Sequence, residues 1–333
     1  MAPFVFVRPV RRSMHVKNKQ LLFVYNEKSG KGVIRNYLAD VIGLFTRNGY
    51  DVLTHPTQSR GDAEHFVQEH AGDADAVVCS GGDGTLDEVV NAVMNVRPHL
   101  PVGYIPSGST NDFATSLSLP KNPVEAARDI MVGDIYRCDV GAFNGTYFVY
   151  VAAFGLFTDV SYQTDQNLKN SLGYLAYILE AGKRLMNIPV FHLRVEVEGQ
   201  VLEGNYCYGM ITNSRSVGGM KNITGNDIDM NDGLFEVTLV HTPVTPLDMN
   251  EIATSILTGD YHSSLVENFK AAAVTIEATG DIDWTLDGEY GGKHRVAAVV
   301  NCHKALRLYL NRRKSVPLVE NQAPLKALAK TFE

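Results

Sequence analysis

Apolar and polar positions follow two different regimes along this chain. In the first third, short apolar runs alternate with stretches whose apolar residues recur at helical spacing. Residues 21–25 are continuously apolar, as a strand covered on both faces is. They run into Asn26-Glu27-Lys28-Ser29-Gly30-Lys31-Gly32, and a helical pattern spans 33–47. The order repeats with a strand at 51–54, a helix at 61–70 and a strand at 76–80. An amphipathic helix carrying Leu86, Val89, Val90 and Val93 comes next. A fourth strand at 102–105 ends at Pro106 and leads into Ser107-Gly108-Ser109-Thr110-Asn111-Asp112-Phe113-Ala114. Alternating strands and helices predict a parallel sheet wrapped on both faces. Its polar turns gather beyond the carboxyl ends of the strands, where such sheets bind ligands.

From about residue 136 the pattern changes to strands at 137–143, 147–154, 190–197, 201–212, 234–241, 272–278 and 295–302, with a last one at 305–310. Asn144-Gly145 and Glu198-Gly199 have the chemistry of two-residue hairpin turns. Helical patterns interrupt the strands at 170–187 and 246–257. The expected architecture is an α/β N-terminal domain with a parallel sheet and flanking helices, followed by a mainly antiparallel, β-sandwich-like C-terminal domain. The expected bounds are a basic leader at 1–20, the α/β domain at 21–134, the β-rich domain at 135–304 and a segment at 305–333 returning to the first domain.

One stretch carries the most chemistry. After the strand at 76–80, Gly81, Gly82 and Gly84 surround Asp83 in a turn that opens a helix. Glycines leave no Cβ to hold an anion off the backbone, and amides at a helix N-terminus favour phosphate. Thr85 and Glu88 have capping-box spacing. Taken alone, Gly-Gly-Asp-Gly is equally an ordinary tight turn. Clustering with the other polar turns on one sheet edge is what favours a phosphate site.

Composition sets limits. A chain of 333 residues with 45% apolar and 20% charged content reads as a soluble protein of two domains. A net charge of -7 argues against nucleic-acid binding and leaves room for a local basic patch at a membrane. Cys79, Cys138, Cys207 and Cys302 are scattered without ligand spacing, as buried thiols of a reducing cytosol are. The apolar stretch 147–157 is about half of the roughly 20 residues that span a bilayer. Arg8, Arg11 and Arg12 follow the first apolar run, the reverse of a secretory signal. The sequons at Asn144 and Asn222 therefore carry no weight. Neither GxxxxGK[ST] nor GxGxxG occurs, which disfavours P-loop enzymes and ordinary dehydrogenases.

Six motifs occur in order: Asn26-x-x-Ser29-Gly30, Thr57-x-x-x-Gly61-Asp62-Ala63, Gly81-Gly82-Asp83-Gly84-Thr85, Pro106-x-Gly108-Ser109-x-Asn111-Asp112-Phe113-Ala114, Asp229-x-x-Asp232-Gly233 and Leu286-Asp287-Gly288-Glu289. Together they resemble the diacylglycerol kinase catalytic-domain family, in particular its soluble bacterial lipid kinases, over about residues 21–310. The resemblance implies ATP- and Mg²⁺-dependent phosphorylation of a lipid hydroxyl, giving phosphatidic acid from diacylglycerol. It implies a cytoplasmic enzyme peripheral to the inner membrane face, and a homodimer as a family-level expectation. Other lipid alcohols, such as sphingoid bases, phosphatidylglycerol or polyprenols, are alternative acceptors. NAD kinases share the Gly-Gly-Asp-Gly-Thr turn, but the segments at 107–114, Asp229, Asp232 and Asp287 disfavour them. A non-catalytic nucleotide-gated lipid sensor is the alternative of a different class.

Site residues follow from the motifs. Asn26, Ser29, Gly30, Thr57, Gly81, Gly82, Asp83, Gly84, Thr85, Glu88 and Ser109 are candidates for nucleotide contact, with Asp83 also a catalytic candidate able to hold the metal. Asp287 is the candidate general base, and Glu289 assists with metal or position. Residues 226–234 fail the pattern of a calcium loop. The resemblance instead makes Asp229, Asp232 and the carbonyl of Leu234 a structural Mg²⁺ site. Without metal, the same acids would form a solvated turn. The leucine stripe of 170–187 reads as core, with Lys169, Lys183 and Arg184 as a weaker membrane contact. Four positions depart from the family's frequent residues: Glu27, Asp87, Ser109 and Asn226. Glu27 adds a negative charge beside the phosphates.

Overall fold

The computed structural model describes residues 18–156, 188–221, 228–258 and 263–311. The expected basic leader up to residue 17, the helix at 170–187, Asn222, Asn226 and the segment beyond Asn311 lie outside these.

The first part builds β1 (Lys19–Tyr25), a 3-10 turn (Val33–Tyr37), α1 (Leu38–Arg47), β2 (Tyr50–Pro56), α2 (Asp62–His70), β3 (Ala76–Gly81), α3 (Asp83–Val96), β4 (Val102–Pro106), α4 (Asp112–Ser116) and α5 (Pro123–Val132). The strands pair in parallel in the order β2, β1, β3, β4. Leu21, Phe23, Val77, Val78 and Val102 are fully buried, because helices cover both faces. Helix α5 has no counterpart in the apolar pattern described above. Its signal is Asn122 followed by Pro123, and the Asn122 side chain accepts from Val124 and Glu125 as an N-cap.

The second part contains β5 (Asp134–Phe143), β6 (Thr146–Phe148), β7 (Val151–Gly155), β8 (Phe191–Val197), β9 (Gln200–Thr212), β10 (Ser216–Val217), β11 (Met220–Lys221), β12 (Phe235–His241), α6 (Pro246–Thr258), β13 (Val266–Ala271), β14 (Ala273–Leu286) and β15 (Glu289–Leu310). Their pairings are antiparallel. Asn144 and Glu198 adopt positive φ ahead of Gly145 and Gly199, as the hairpin chemistry requires. Trp284, Phe143, Phe148, Phe154 and Phe235 fill this part's core.

The two parts share one 13-stranded sheet. The strands read separately at 295–302 and 305–310 are one strand, β15, which bends where its register with β5 shifts between Cys302 and Leu306. Its far end pairs in parallel with β4, Leu308 opposite Val102. Asp139, fully buried, pins the bend by accepting from Lys304 N at 2.6 Å and bonding His303 at 3.0 Å. The same carboxylate accepts from Gly233 N at 2.6 Å, which ties the 229–233 loop to β5.

The capping-box reading of Thr85 and Glu88 is overturned. Helix α3 starts three residues earlier, with Gly82 as N-cap and Asp83 in its first turn. Glu88 instead accepts from Gly61 N at 2.8 Å and Ala63 N at 3.1 Å. It caps α2, whose own N-cap is a glycine without a side chain. Both carboxylate oxygens are so engaged. Replacing Glu88 with Ala is expected to cost about 1–2 kcal/mol. Urea denaturation of the variant against the parent chain measures it.

Candidate active site

Four loops follow β1, β2, β3 and β4 at the same sheet edge, and the backbone of three of them is in direct contact. A Cβ on Gly30 would lie 2.5 Å from Ser107 O, and one on Gly108 would lie 2.5 Å from the Cα of Gly82. Only glycine permits this approach. The contact is reinforced by Asn26 N donating to Ser80 O at 2.8 Å, and by Ser107 N donating to Gly81 O at 2.8 Å. The Asn111 amide closes the fourth loop, accepting from Gly108 N at 2.9 Å and donating to Gly108 O at 2.8 Å. Ser29 Oγ lies 3.5 Å from the position of a Cβ on Gly82. The expected residues Asn26, Ser29, Gly30, Gly81 and Gly82 are thus brought together. Thr57 joins through its amide, which donates to Tyr25 O at 2.9 Å. Ser109 is exposed at the rim. The Thr85 side chain is buried and folded onto Gly81, where a Cβ would clash with it. It supports the turn from beneath. Glu27 faces Arg35 at 3.7 Å, which offsets the negative charge it adds near this loop.

Across from these loops stands the β14–β15 turn. Asp287 and Gly288 take φ of 51° and 82°, the backbone of an Asp-Gly hairpin. Unlike an ordinary hairpin tip, Asp287 is only 4% exposed. Its Oδ2 accepts from Val149 N at 2.5 Å, and its Oδ1 accepts from Tyr150 N and Val151 N, both at 2.9 Å. These amides are free because the strand expected over 147–154 breaks between β6 and β7. Burial pushes the Asp287 carboxyl up to about 6, and the three amides restrain the rise.

Asp83 presents the other half. Its Oδ2 accepts from Asp112 N at 3.1 Å, at the start of α4. Its Oδ1 is buried without a hydrogen-bond partner. Burial, then the neighbouring charge of Asp112, push the Asp83 carboxyl up to about 7. Glu289 Oε1 lies 3.5 Å from the position of a Cβ on Gly84, and its Oε2 is 3.4 Å from Arg60 in the loop before α2. Glu289 thus bridges the two parts of the chain.

Several residues of the site went unread in the sequence. Asp112 is 2% exposed and accepts from Ser216 Oγ at 2.6 Å and Gly219 N at 3.0 Å, which fastens the β10–β11 turn against the fourth loop. Asp87 is pushed well above the ordinary carboxylate range by burial and by the neighbouring charges of Asp287, Glu88 and Glu289. Asn91 Nδ2 donates to Tyr147 O and its Oδ1 accepts from Tyr147 N, both at 3.0 Å. Asp83, Asp87 and Asn91 recur every fourth residue, one polar stripe on a helix otherwise packed with apolar side chains. That spacing was the available signal.

The 229–234 loop is arranged differently from a metal cage. Asp229 Oδ1 accepts from Asn231 N at 3.3 Å, and Asp232 Oδ1 accepts from Leu234 N at 3.0 Å. Asp232 Oδ2 is 3.5 Å from Lys270 Nζ, which also pairs with buried Glu236 at 3.2 Å. Lys270 thus offsets part of the negative charge of this loop. Among the described residues, no three acidic, histidine or cysteine side chains are gathered as a metal site.

Comparison with known proteins agrees with this geometry. Residues 20–143 match the family model described as diacylglycerol kinase catalytic domain. Residues 151–309 match the one described as YegS C-terminal NAD kinase beta sandwich-like domain. The chain is 31% identical to a diacylglycerol kinase of Bacillus subtilis (strain 168) over 303 residues, covering 90% of this chain and 99% of the relative. It is 32% identical to a diacylglycerol kinase of Staphylococcus aureus (strain JH9) over 282 residues, covering 83% and 87%. A solved structure from Bacillus anthracis str. Sterne superposes with a TM-score of 0.75 at 24% identity, covering 92% of this chain and 99% of that one, a likeness of fold alone. Near-complete coverage at this identity shows that the chain belongs to the diacylglycerol kinase family of enzymes.

Proposed function

We propose that this enzyme transfers the γ-phosphoryl group of ATP to the free hydroxyl of diacylglycerol, giving phosphatidic acid. The observation that carries this reading is the convergence of three glycine-rich loops opposite Asp287. Phosphoryl transfer needs the donor phosphates held at one side and an acceptor hydroxyl aligned at the other. The loops around Gly30, Gly82 and Gly108 bind the phosphates with main-chain amides, at the sheet edge where α3 begins. Asp287 orients the acceptor hydroxyl and takes its proton. As the acceptor oxygen bonds to the γ-phosphorus, the bond from that phosphorus to the β-γ bridging oxygen breaks and ADP leaves.

A divalent cation carried by the nucleotide would find a holding residue on the phosphate side of the site. The buried Asp83 Oδ1 without a donor, next to other acidic groups, suits a divalent cation. Asp83 would hold it, with Glu289 near by. When bound, the ion neutralises phosphate charge. An acceptor dissolved in lipid implies work at a membrane surface. No helix among the described residues is long and apolar enough to cross a membrane.

Incubation with labelled ATP, Mg²⁺ and mixed micelles of diacylglycerol is expected to give labelled phosphatidic acid. Label on a different lipid alcohol alone would reassign the acceptor, and nucleotide binding without any turnover would overturn the kinase reading. Asp287→Asn is expected to lower kcat by about 10²–10⁴-fold with its circular dichroism spectrum retained, while its melting temperature falls by a few degrees, because the amide nitrogen that replaces one oxygen cannot accept from the main-chain donors. The pH dependence has a definite sign. A base works ionised, so with Asp287 pushed up to about 6, kcat/KM for the lipid falls as pH drops through about 6, as a pH–rate profile at low lipid and saturating ATP reads.

A further inference from the structure

Tyr104 and Tyr150 are both buried in the core cluster that joins the two parts of the chain, and their hydroxyls differ in what they do. Tyr104 on β4 shares its hydroxyl proton between Gly81 O at 3.3 Å and Asn111 Oδ1 at 3.2 Å, in support of the glycine loops. Tyr150, in the break between β6 and β7, is only 6% exposed, yet its hydroxyl takes part in no hydrogen bond among the described residues. The residue itself is firmly held. Its N donates to Asp287 Oδ1 at 2.9 Å, and its O accepts from Thr212 Oγ1 at 2.6 Å and from Asn213 N at 3.0 Å. The phenolic oxygen lies 3.7 Å from the position of a Cβ on Gly288. Gly288 separates Asp287 from Glu289, whose Oε1 lies 3.5 Å from the position of a Cβ on Gly84. The unbonded hydroxyl thus stands at the hairpin tip that faces the start of α3. Buried polar groups nearly always have a partner, and leaving one without costs about 1–3 kcal/mol. The chain supplies none here.

We propose that Tyr150 is a further catalytic residue, whose hydroxyl donates a hydrogen bond to an oxygen of the terminal phosphoryl group of the bound nucleotide. The inference rests on the kinase reading given above. The ligand group follows from the donors and acceptors at the hairpin tip. Asp287 and Glu289, on either side of Gly288, are carboxylates, which offer a phosphoryl oxygen no donor and repel its charge. Tyr150 supplies a donor at that place without adding charge. The lipid hydroxyl is a poorer partner for it, since a donor bonded to the attacking oxygen would occupy the lone pair that must reach phosphorus. The transferring group carries its charge on three equatorial oxygens, and a fixed donor aimed at such charge in a water-poor site is worth more than in water. No proton leaves Tyr150 in this step. As the acceptor oxygen bonds to the γ-phosphorus and the bond to the bridging oxygen breaks, the acceptor's proton passes to Asp287 and the phenol O–H stays intact. A phenol is protonated at neutral pH, and burial, then the charges of Asp83, Asp287 and Asp112, push this one further up.

The test compares Tyr150→Phe with the parent chain by thermal melting, by calorimetric titration and by turnover of diacylglycerol in mixed micelles. The titrations use ADP and the non-hydrolysable β,γ-imido analogue of ATP, with Mg²⁺ and without lipid. The dissociation constant of the analogue is expected to rise about 10–100-fold while that of ADP, which lacks the terminal group, is unchanged. In turnover, kcat/KM for ATP falls by at least the same factor. The melting temperature is not lowered, because the deleted hydroxyl bonds nothing in the free protein. Tyr104→Phe is the contrast: it removes a hydroxyl that is bonded to Gly81 and Asn111, and its melting temperature is expected to fall. Unchanged affinity for the analogue in Tyr150→Phe, equal weakening of ADP, or a lowered melting temperature would overturn the proposal, since the last two are what a merely structural hydroxyl gives. If the parent chain binds nucleotide and labels no diacylglycerol, the acceptor reading fails, and the titrations still decide on Tyr150. A parent chain that binds neither nucleotide refutes both.

Discussion

Three consecutive main-chain amides, those of Val149, Tyr150 and Val151, donate to one buried carboxylate, Asp287. Much of the second part of the molecule is arranged around that contact. Burying a carboxylate is costly unless donors meet it. Here the donors are obtained by interrupting a strand: residues 149 and 150 leave the ladder between β6 and β7, and their amides turn to Asp287. The reverse bond, Asp287 N to Val151 O at 2.8 Å, completes the lock. Asn91 holds the other end of the segment through Tyr147. The interrupted strand, the left-handed Asp287 and the amide of Asn91 are thus parts of one device that sets the carboxylate against α3.

The distance between the two halves of the site is set by pairings within one sheet. Strand β15 starts right after the Asp287-Gly288 turn and ends beside β4, with Leu308 opposite Val102. Val102 is in turn opposite Val77 of β3, the strand that ends at Gly81. A continuous path of strand and ladder therefore links Asp287 to the glycine loops. Asp139 holds the bend in β15 on that path. Movement of one half against the other must work at the loops or at this bend, because interstrand spacing is fixed near 4.8 Å.

The fold was legible where the period of apolar residues was strong. The four parallel strands, the helices between them and the hairpins at Asn144-Gly145 and Glu198-Gly199 could be read from local pattern. Strand β13 and helix α5 could not, since Val266–Ala271 alternates with charged and polar residues and α5 carries its clearest signal in its cap. Of the site, the glycines were readable because close approach leaves few alternatives to glycine. The partners of the carboxylates were not. Glu88 looked like the cap of its own helix and instead caps α2, and Asp87 gave no local hint that its carboxyl feels the charge of a residue 200 positions away. Sequence spacing reports neighbours on one helix. It does not report which foreign backbone or side chain lies opposite.

That opposite side decides the electrostatics of the acidic cluster. Asp83, Asp87, Asp112, Asp287 and Glu289 meet at one junction, and they cannot all be buried and ionised without counter-charge. The donors each receives sort them. Asp287 has three amides and is raised least of the three along this line, to about 6. Asp83 has the amides at the start of α4 on one side only and is raised to about 7, with one oxygen left bare. Asp87 accepts from the side chain of Asn91 and is pushed well above the ordinary carboxylate range by burial and the charges of Asp287, Glu88 and Glu289. Asp112, met by Ser216 Oγ and Gly219 N, is spent on holding the β10–β11 turn. Similar carboxyls thereby sit in different surroundings: one met by three main-chain amides, one with a buried oxygen left bare, one met by a side-chain amide and one tied to the β10–β11 turn. The count of main-chain donors reaching each carboxylate tells them apart, and the chain sets that count by where it breaks its strands.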